Sequence, residues 1–323
     1  MKAFVRFEYG SPDALRLEEF PVPTPTGVDV LVEVRAASVN MADVDYLMGR
    51  PKIARLGTGL RRPRNTGLGL DLAGVVVAVG EDVSGLKPGD EVFGDLTEFG
   101  FGAFSEFVCA PEEALAPKPQ GLTFEEAAAV PQAGVMAVQG LMKPRPVRSG
   151  ERVLINGAGG NIGPFAVQIA KHFGCEVTGV DAAEKLDFVR TIGADHVIDY
   201  TIEDFAATPS QYDRVLDVAA HRSVAQSRQA LRPGGVYVIV PGSIAGTLRA
   251  MVAGPLISLL GSRRIGMLAW KPFRAEDVAL LTDLLEQKTL RAFIDRVYPF
   301  HEIPQALSYQ AAGSTTGKIA ISF

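Results

Sequence analysis

The segment Val153-Leu154-Ile155-Asn156-Gly157-Ala158-Gly159-Gly160-Asn161-Ile162-Gly163 restricts the possible folds of this 323-residue chain more than any other. An apolar, buried-type strand, Arg152 to Ile155, runs straight into a dense glycine turn, and the pattern predicts a helix from Ile162 to Phe173. Glycine at these positions lets the backbone turn tightly and approach a pyrophosphate. The helix N-terminus then offers free N–H groups and a positive dipole end to the phosphates. The spacing, Gly157-x-x-Gly160-x-x-Gly163, is a variant of G-x-G-x-x-G, and a bare glycine cluster is equally compatible with a plain tight turn. The strand before it and the helix after it select dinucleotide binding. Gly157, Gly159, Gly160, Asn161, Ile162 and Gly163 are therefore the candidate cofactor contacts.

The same alternation continues downstream. Strands are predicted at Glu176–Val180, His196–Ile198, Arg214–Leu216 and Val236–Val240, with a helix from Glu184 to Ile192. Strand–helix alternation at this spacing means parallel βαβ units, so an α/β, doubly wound parallel sheet. Asp181 ends the second strand, 24 residues past Gly157. There an acidic residue takes the adenosine ribose hydroxyls and repels the 2′-phosphate of NADP. Ala182, Ala183 and Glu184 give that phosphate no hydroxyl or guanidinium, and Lys185 is the nearest cation. A cap on the following helix is the competing role for Asp181. The balance favours NADH/NAD and leaves NADPH/NADP open. By the fold rule, loops at the carboxyl ends of later strands wall the cofactor, which adds Gly242 and Ser243 within Pro241-Gly242-Ser243, and Ala219-Ala220-His221.

The first third reads differently. Val28 to Arg35 alternates apolar and polar residues, Gly74 to Val79 is a β-branched run, and Pro88-Gly89-Asp90 is a turn before Glu91-Val92-Phe93. Ala103 to Cys109 supplies a further strand. Short strands punctuated by Gly and Pro predict a folded-over β-domain. Thr123-Phe124-Glu125-Glu126 reads as a capping box that opens a helix through Ala129. Beyond Lys271-Pro272 an amphipathic helix, Ala275 to Glu286, precedes strands at Phe293–Val297 and Lys318–Ser322 that resemble the first domain. The division is thus a β-domain over 1–121, completed by 272–323, and a dinucleotide-binding domain over 122–271.

Composition narrows the remaining classes. Hydrophobic residues make up 47% and charged residues 21%, and the formal charge is −5, which gives no electrostatic reason to expect a nucleic-acid or anionic-membrane partner. Cys109 and Cys175 are the only cysteines, too few for a disulfide framework or a Cys-rich zinc cluster. The most lipophilic stretch, Ile244 to Leu260, is interrupted by Gly246, Arg249, Gly254 and Pro255, so no membrane span is expected. Met1 to Phe7 lacks a signal-peptide core, and the cytoplasm is the default location.

The sequence resembles the medium-chain dehydrogenase/reductase family, in its zinc-independent quinone oxidoreductase-like branch. The residues that carry the resemblance are Ala37 to Asp43, Gly69-Leu70-Asp71-Leu72-Ala73-Gly74, Lys87 to Gly94, the glycine loop, Gly193 to Tyr200, and Gly317-Lys318. The resemblance implies a GroES-like β-domain, a Rossmann domain and a cofactor held between them. Zinc alcohol dehydrogenases of this superfamily carry a Cys near Ser38 and a His–Glu pair near Leu70-Asp71. This chain has neither, and His172, His196, His221 and His301 show no ligand-like spacing, so no zinc is expected. Without a Lewis acid for an alkoxide, hydride transfer from NAD(P)H to a quinone or an α,β-unsaturated carbonyl is favoured, because the acceptor takes the charge itself. A metal-free alcohol or ketone dehydrogenase and a nicotinamide-binding redox sensor stand as alternatives.

Three candidate catalytic residues follow from the resemblance. Asn40 matches the family's Asn that faces nicotinamide and substrate, with a loop Asn satisfying its own backbone as the competing role. Asp43 matches a neighbouring position and can equally serve as a helix N-terminal acid. Tyr46 is the local proton donor or substrate partner, although the family's aromatic falls one residue earlier, at Asp45 here, and one step round a helix is about 100°. Met136 stands where a Thr is frequent, and Lys271 reads as a solvated linker lysine, with reach into the cleft as the alternative. Arg61-Arg62-Pro63-Arg64 reads as a solvated basic loop, with a place at the border of the cleft as the alternative. Leu248 to Leu260 suggests a dimer surface or apolar lid, and also suits a buried helix. The implied partners are a small hydrophobic carbonyl or quinone substrate and a second copy in a homodimer.

Overall fold

The period-2 run from Val28 is realised as the longest strand among the described residues, Asp29–Val39, whose inward residues Val30, Val32 and Val34 are almost fully buried. In this computed structural model, residues 1–219, 224–240 and 262–323 are described. Gly242, Ser243, Ala220, His221 and the 248–260 segment lie outside the described residues.

The chain divides into two units. The first comprises Met1–Val135, Pro272–Glu286 and Ala292–Phe323; the second comprises Met136–Lys271 and Gln287–Arg291. The first unit holds strands β1 (Lys2–Val5), β2 (Arg16–Glu19), β3 (Asp29–Val39), β4 (Asp71–Val79), β5 (Glu91–Asp95), β6 (Phe107–Pro111) and β7 (Leu115–Pro117). The second holds β8 (Arg152–Asn156), β9 (Glu176–Asp181), β10 (His196–Asp199), β11 (Tyr212–Asp217), β12 (Leu231–Ile239) and β13 (Arg264–Met267). The chain then returns to the first unit with β14 (Ile294–Pro299) and β15 (Lys318–Ser322).

In the first unit a seven-stranded sheet runs β14-β15-β3-β4-β5-β7, with β6 also paired to β3. Only β14 and β15 are parallel; the rest of the sheet is antiparallel. Side chains from β3, β4, β15 and the helices α1 (Met41–Met48) and Ile303–Ala311 close one hydrophobic cluster containing Val32, Leu47, Leu72, Phe104, Leu307 and Ile319. Two short helices follow: α2 (Arg55–Thr58) and α3 (Phe124–Ala128). The capping box at α3 is formed as the sequence indicates, with Thr123 accepting from the Glu126 N–H and Glu126 accepting from the Thr123 N–H. The strand expected over Ala103–Cys109 begins only at Phe107. The N–H groups of Ala103 and Phe104 are taken by the carbonyls of Gly69 and Leu68, outside any ladder.

The second unit is a six-stranded sheet of order β10-β9-β8-β11-β12-β13, parallel throughout. The order reverses between β8 and β11, where a doubly wound sheet opens its ligand crevice at the strands' carboxyl ends. Asn156 and Asp217 sit opposite each other there. The helix expected from Glu184 is shorter: a 3₁₀ turn at Ala183–Lys185 precedes Leu186–Thr191. Arg214, on β11 and fully buried, donates to the carbonyls of Gly140 and Lys143, fixing the end of α4 (Pro131–Met142) to the sheet.

Candidate functional site

Two constellations stand out, one in each unit. In the second, the backbone leaves β8 through Gly157 at φ +88°, a left-handed conformation that favours glycine. The N–H groups of Gly157 and Ala158 both reach the Val180 carbonyl on β9, at 2.9 and 3.1 Å. Gly163 opens helix α5 (Gly163–His172), and a Cβ there would lie 2.3 Å from the Gly157 carbonyl oxygen, so the turn closes only around glycine. At Gly160 a Cβ would come no closer to protein than 3.6 Å. Packing does not demand glycine there, so the open space suits a ligand approaching the backbone. Ile162 is the residue before the helix rather than its first turn, and Asn161 and Ile162 are half-buried.

Asp181, at the end of β9, turns its carboxylate onto this loop. Oδ2 accepts from the Gly159 N–H at 2.7 Å and Oδ1 from the Ala182 N–H at 2.9 Å. Asp181 also lines a cavity of about 450 Å³ with Asn156, Gly157, Val180, Tyr200, Phe205 and Ala219. A glycine turn, a carboxylate at the second strand's end and an adjoining cavity of mixed polarity fit an adenosine diphosphate moiety. Lys185 is buried, its stem beside Gly159 on the side that faces Asp181. Asn156 donates to Asp217 at 2.7 Å, and Tyr237 donates to the other oxygen of Asp217 at 2.7 Å, which holds the switch point rigid.

The second constellation is buried in the first unit, and most of it is not evident from the sequence. The register of β15 on β3 and of β3 on β4 brings Lys318, Ser38 and Asp71 onto neighbouring strands. Asp71, fully buried, receives four donors: Asn40 Nδ2 at 2.9 Å, Ser38 Oγ at 3.0 Å, the Gln132 N–H at 3.1 Å and Lys318 Nζ at 3.4 Å. The Gln132 N–H belongs to the first turn of α4, which favours a negative charge. Lys318 also donates to Asn40 Oδ1 at 2.5 Å. Both ends of the Asn40 amide are thus committed, and Asn40 is only 2% exposed. Burial lowers the Lys318 ammonium, against the opposing pull of Asp71 and Asp43.

Asp43 accepts from the Asn40 N–H at 2.8 Å, as a helix N-terminal acid does. Burial pushes its carboxyl up to about 8, and the Asn40 hydrogen bond only partly offsets this. Burial, reinforced by the charge of Asp71, pushes Asp95 up to about 7. Tyr46 lies one turn beyond Asp43 and packs its ring at a tilt against Phe101, with ring centroids 4.7 Å apart, against the β-domain core. Burial raises its phenol, and the charges of Asp43 and Asp95 raise it further. Arg6, at the end of the first β-domain strand, is buried and lowered to about 10 by that burial. Among the described residues its Nε and Nη1, Asp43 Oδ1 and Asp95 Oδ2 have no partner. Arg6 was discoverable as a single cation inside the otherwise apolar run Ala3 to Phe7, and Lys318 as the cation directly before the apolar run Ile319 to Ile321.

Residues 26–120 match the alcohol dehydrogenase GroES-like domain family, and residues 192–321 the zinc-binding dehydrogenase family. A 2-methylene-furan-3-one reductase of Solanum lycopersicum is 34% identical over 336 residues, covering 99% of this chain and 79% of that protein. The chain belongs to the medium-chain dehydrogenase/reductase family. Within it the relatives are quinone and enone oxidoreductases. An NADPH-dependent alkenal/one oxidoreductase of Arabidopsis thaliana is 31% identical over 99% of this chain and 79% of its own length. The quinone oxidoreductase structure from Coxiella burnetii superposes with a TM-score of 0.87 at 29% identity, covering 100% of this chain and 99% of that one.

The zinc in the second family's description finds no donor set here. Among the described residues no three His, Cys, Asp or Glu side chains gather into a metal-holding group. The strand positions beside Ser38 and Asp71 are occupied by the Lys318 ammonium, and Asp71 is already saturated with donors. Such a donor set, already filled by an ammonium, does not fit a divalent cation. No helix among the described residues is long and apolar enough to cross a membrane.

Proposed function

We propose that this enzyme reduces quinones or α,β-unsaturated carbonyl compounds with a nicotinamide cofactor, preferring NADH, as a cytoplasmic homodimer. The reading is carried by the glycine turn closed onto Asp181, which fits the adenosine end of a dinucleotide. The bound nicotinamide supplies a hydride. The acceptor's own conjugated carbonyl takes the resulting charge, which suits a site where the Lys318 ammonium fills the place beside Ser38 and Asp71. The relatives' names, quinone and alkenal/one oxidoreductase, support the acceptor class.

The preference for NADH rests on Asp181, whose carboxylate lines the cavity where a 2′-phosphate would have to sit. Gly157, Gly159, Gly160, Asn161, Ile162 and Gly163 take the pyrophosphate, with Lys185 packed beneath the turn. Among the catalytic candidates, Tyr46 is assigned to hydrogen-bond the acceptor's oxygen, because its raised phenol stays protonated at neutral pH and donates. Asn40 and Asp43 are assigned as positioning residues, since their polar atoms face Asp71, Lys318 and the start of α1.

The test is oxidation of NADH and NADPH, side by side, against a quinone, an enone, an enal, a saturated ketone, and an alcohol with the oxidised cofactors. Turnover on quinone or enone alone is expected. Activity confined to the ketone–alcohol pair would replace this reading with a metal-free alcohol dehydrogenase.

A further inference from the structure

The overall charge of −5 conceals a strong local asymmetry. Between Tyr46 and Leu70 there are six Lys and Arg residues and no Asp or Glu. Arg50, Lys52, Arg61, Arg62 and Arg64 are exposed, and among the described residues none of these five forms an ion pair. The same short stretch carries three of the most exposed aliphatic side chains among the described residues: Ile53 at 63%, Leu56 at 69% and Leu60 at 66%. Three such side chains within eight residues, flanked by unpaired cations, give the segment the mixed apolar and charged character of an interaction surface.

The segment is built rather than loose. Its sixth cation, Arg55, points inward, donating to the carbonyls of Gly49 at 2.9 Å and Met48 at 3.0 Å and lying over the Tyr9 ring at 4.3 Å. The Tyr9 hydroxyl donates to the Gly59 carbonyl at 2.7 Å, and the Arg64 N–H closes the loop on the Thr58 carbonyl at 2.8 Å. With Arg55, Thr58 and Gly59 anchored to the domain, the aliphatics and the arginines are left outward.

We infer that this protrusion, residues 50–64, docks the enzyme on the surface of an anionic lipid bilayer. Cations there meet headgroup charge, while Ile53, Leu56 and Leu60 enter the boundary of the acyl chains. A purely anionic partner such as nucleic acid explains the cations but not the aliphatics. Stacking on bases uses aromatic rings, and the stretch from Leu47 to Leu70 contains none. Charge and exposure alone carry this docking role, independently of the reductase chemistry.

The test is flotation of the full chain with vesicles of phosphatidylcholine, alone or with about 30% phosphatidylglycerol, at about 0.1 M salt, where surface charge is still felt. Each cation near an anionic surface is worth roughly five-fold in partitioning. Binding to the anionic vesicles should therefore exceed binding to the neutral ones by at least about ten-fold. It should fall by at least that factor in the triple variant Arg61→Glu/Arg62→Glu/Arg64→Glu. Leu56→Ser/Leu60→Ser, also at exposed positions, should weaken binding to the anionic vesicles, with the circular dichroism of all variants unchanged. Three results would overturn the inference: no preference for anionic vesicles, no response to either variant, or equally tight binding of a duplex oligonucleotide or an acidic carrier protein that ignores Leu56 and Leu60. The readout involves no turnover, so a negative result here is separable from failure of the acceptor panel.

Discussion

The ammonium of Lys318 stands 3.4 Å from the carboxylate of Asp71, with both side chains wholly removed from solvent and 247 residues apart in the chain. Burying two charges costs several kcal/mol per ion, and the cost is offset only when their hydrogen bonds are filled. Here Ser38, Asn40 and the Gln132 N–H complete the shell of Asp71, and Asn40 Oδ1 shares Lys318. The pair ties β15, β3, β4 and the start of α4 at one point. It also locks the Asn40 amide in a single orientation.

Removing one partner leaves the other charged, buried and unpaired. Lys318→Met should therefore lower the free energy of unfolding by about 3–5 kcal/mol in urea titrations. Adding Asp71→Asn should recover part of that loss, because the orphaned charge disappears. A loss under about 1 kcal/mol for the single variant would mean that water reaches the pair and that its geometry is not structural.

This pair also marks the limit of what the sequence discloses. The glycine turn was legible because its requirement is local: Gly163 must lack a side chain where Gly157 passes 2.3 Å from the missing Cβ, and both lie in one eleven-residue segment. The parallel sheet was legible for the same reason, each βαβ unit being written in contiguous runs. Lys318 and Asp71 meet only through the registers of β15 on β3 and β3 on β4, which no local pattern encodes. Asn40 was singled out by resemblance, yet its commitment to those two charges depends on the same long-range pairing. Tyr46 was placed on a helix correctly, but its ring contact with Phe101 is set by a loop some fifty residues later.

Asp43 gives stability a pH dependence whose sign follows from its environment. Its folded-state carboxyl titrates at about 8, against 3.8 in the unfolded chain, so between those values the folded state holds the extra proton. Stability is then greatest below the unfolded value and falls as pH rises towards 8, by up to about 1.4 kcal/mol per unit for one full proton. Asp95, raised to about 7, adds to the same slope. In Asp43→Asn the amide oxygen still accepts from the Asn40 N–H, and the slope of unfolding free energy between pH 5 and 8 should flatten. Identical slopes in wild type and variant would place the Asp43 carboxyl in the ordinary range.

Asp181 should govern cofactor choice. Asp181→Ser removes the charge that opposes a 2′-phosphate but keeps an oxygen near the Gly159 N–H. The ratio of kcat/KM for NADH over NADPH should drop at least about ten-fold, equivalent to about 1.4 kcal/mol of discrimination. An unchanged ratio in steady-state assays would return Asp181 to a purely structural role, closing the glycine turn.

Tyr46→Phe separates chemistry from packing at the remaining candidate. The ring and its 4.7 Å contact with Phe101 are retained, so folding and cofactor binding should stay at wild-type values. Only the hydroxyl is lost. If that hydroxyl donates to the acceptor's oxygen as charge develops, kcat for an enone should fall by about 10²-fold, the lower end of what a positioned proton donor contributes. Because burial holds the phenol above its usual range, the wild-type rate should keep this donor wherever an ordinary phenol is still protonated. A variant turning over at the wild-type rate, with the same pH profile, would reduce Tyr46 to a wall of the β-domain core. The proton would then reach the product from water.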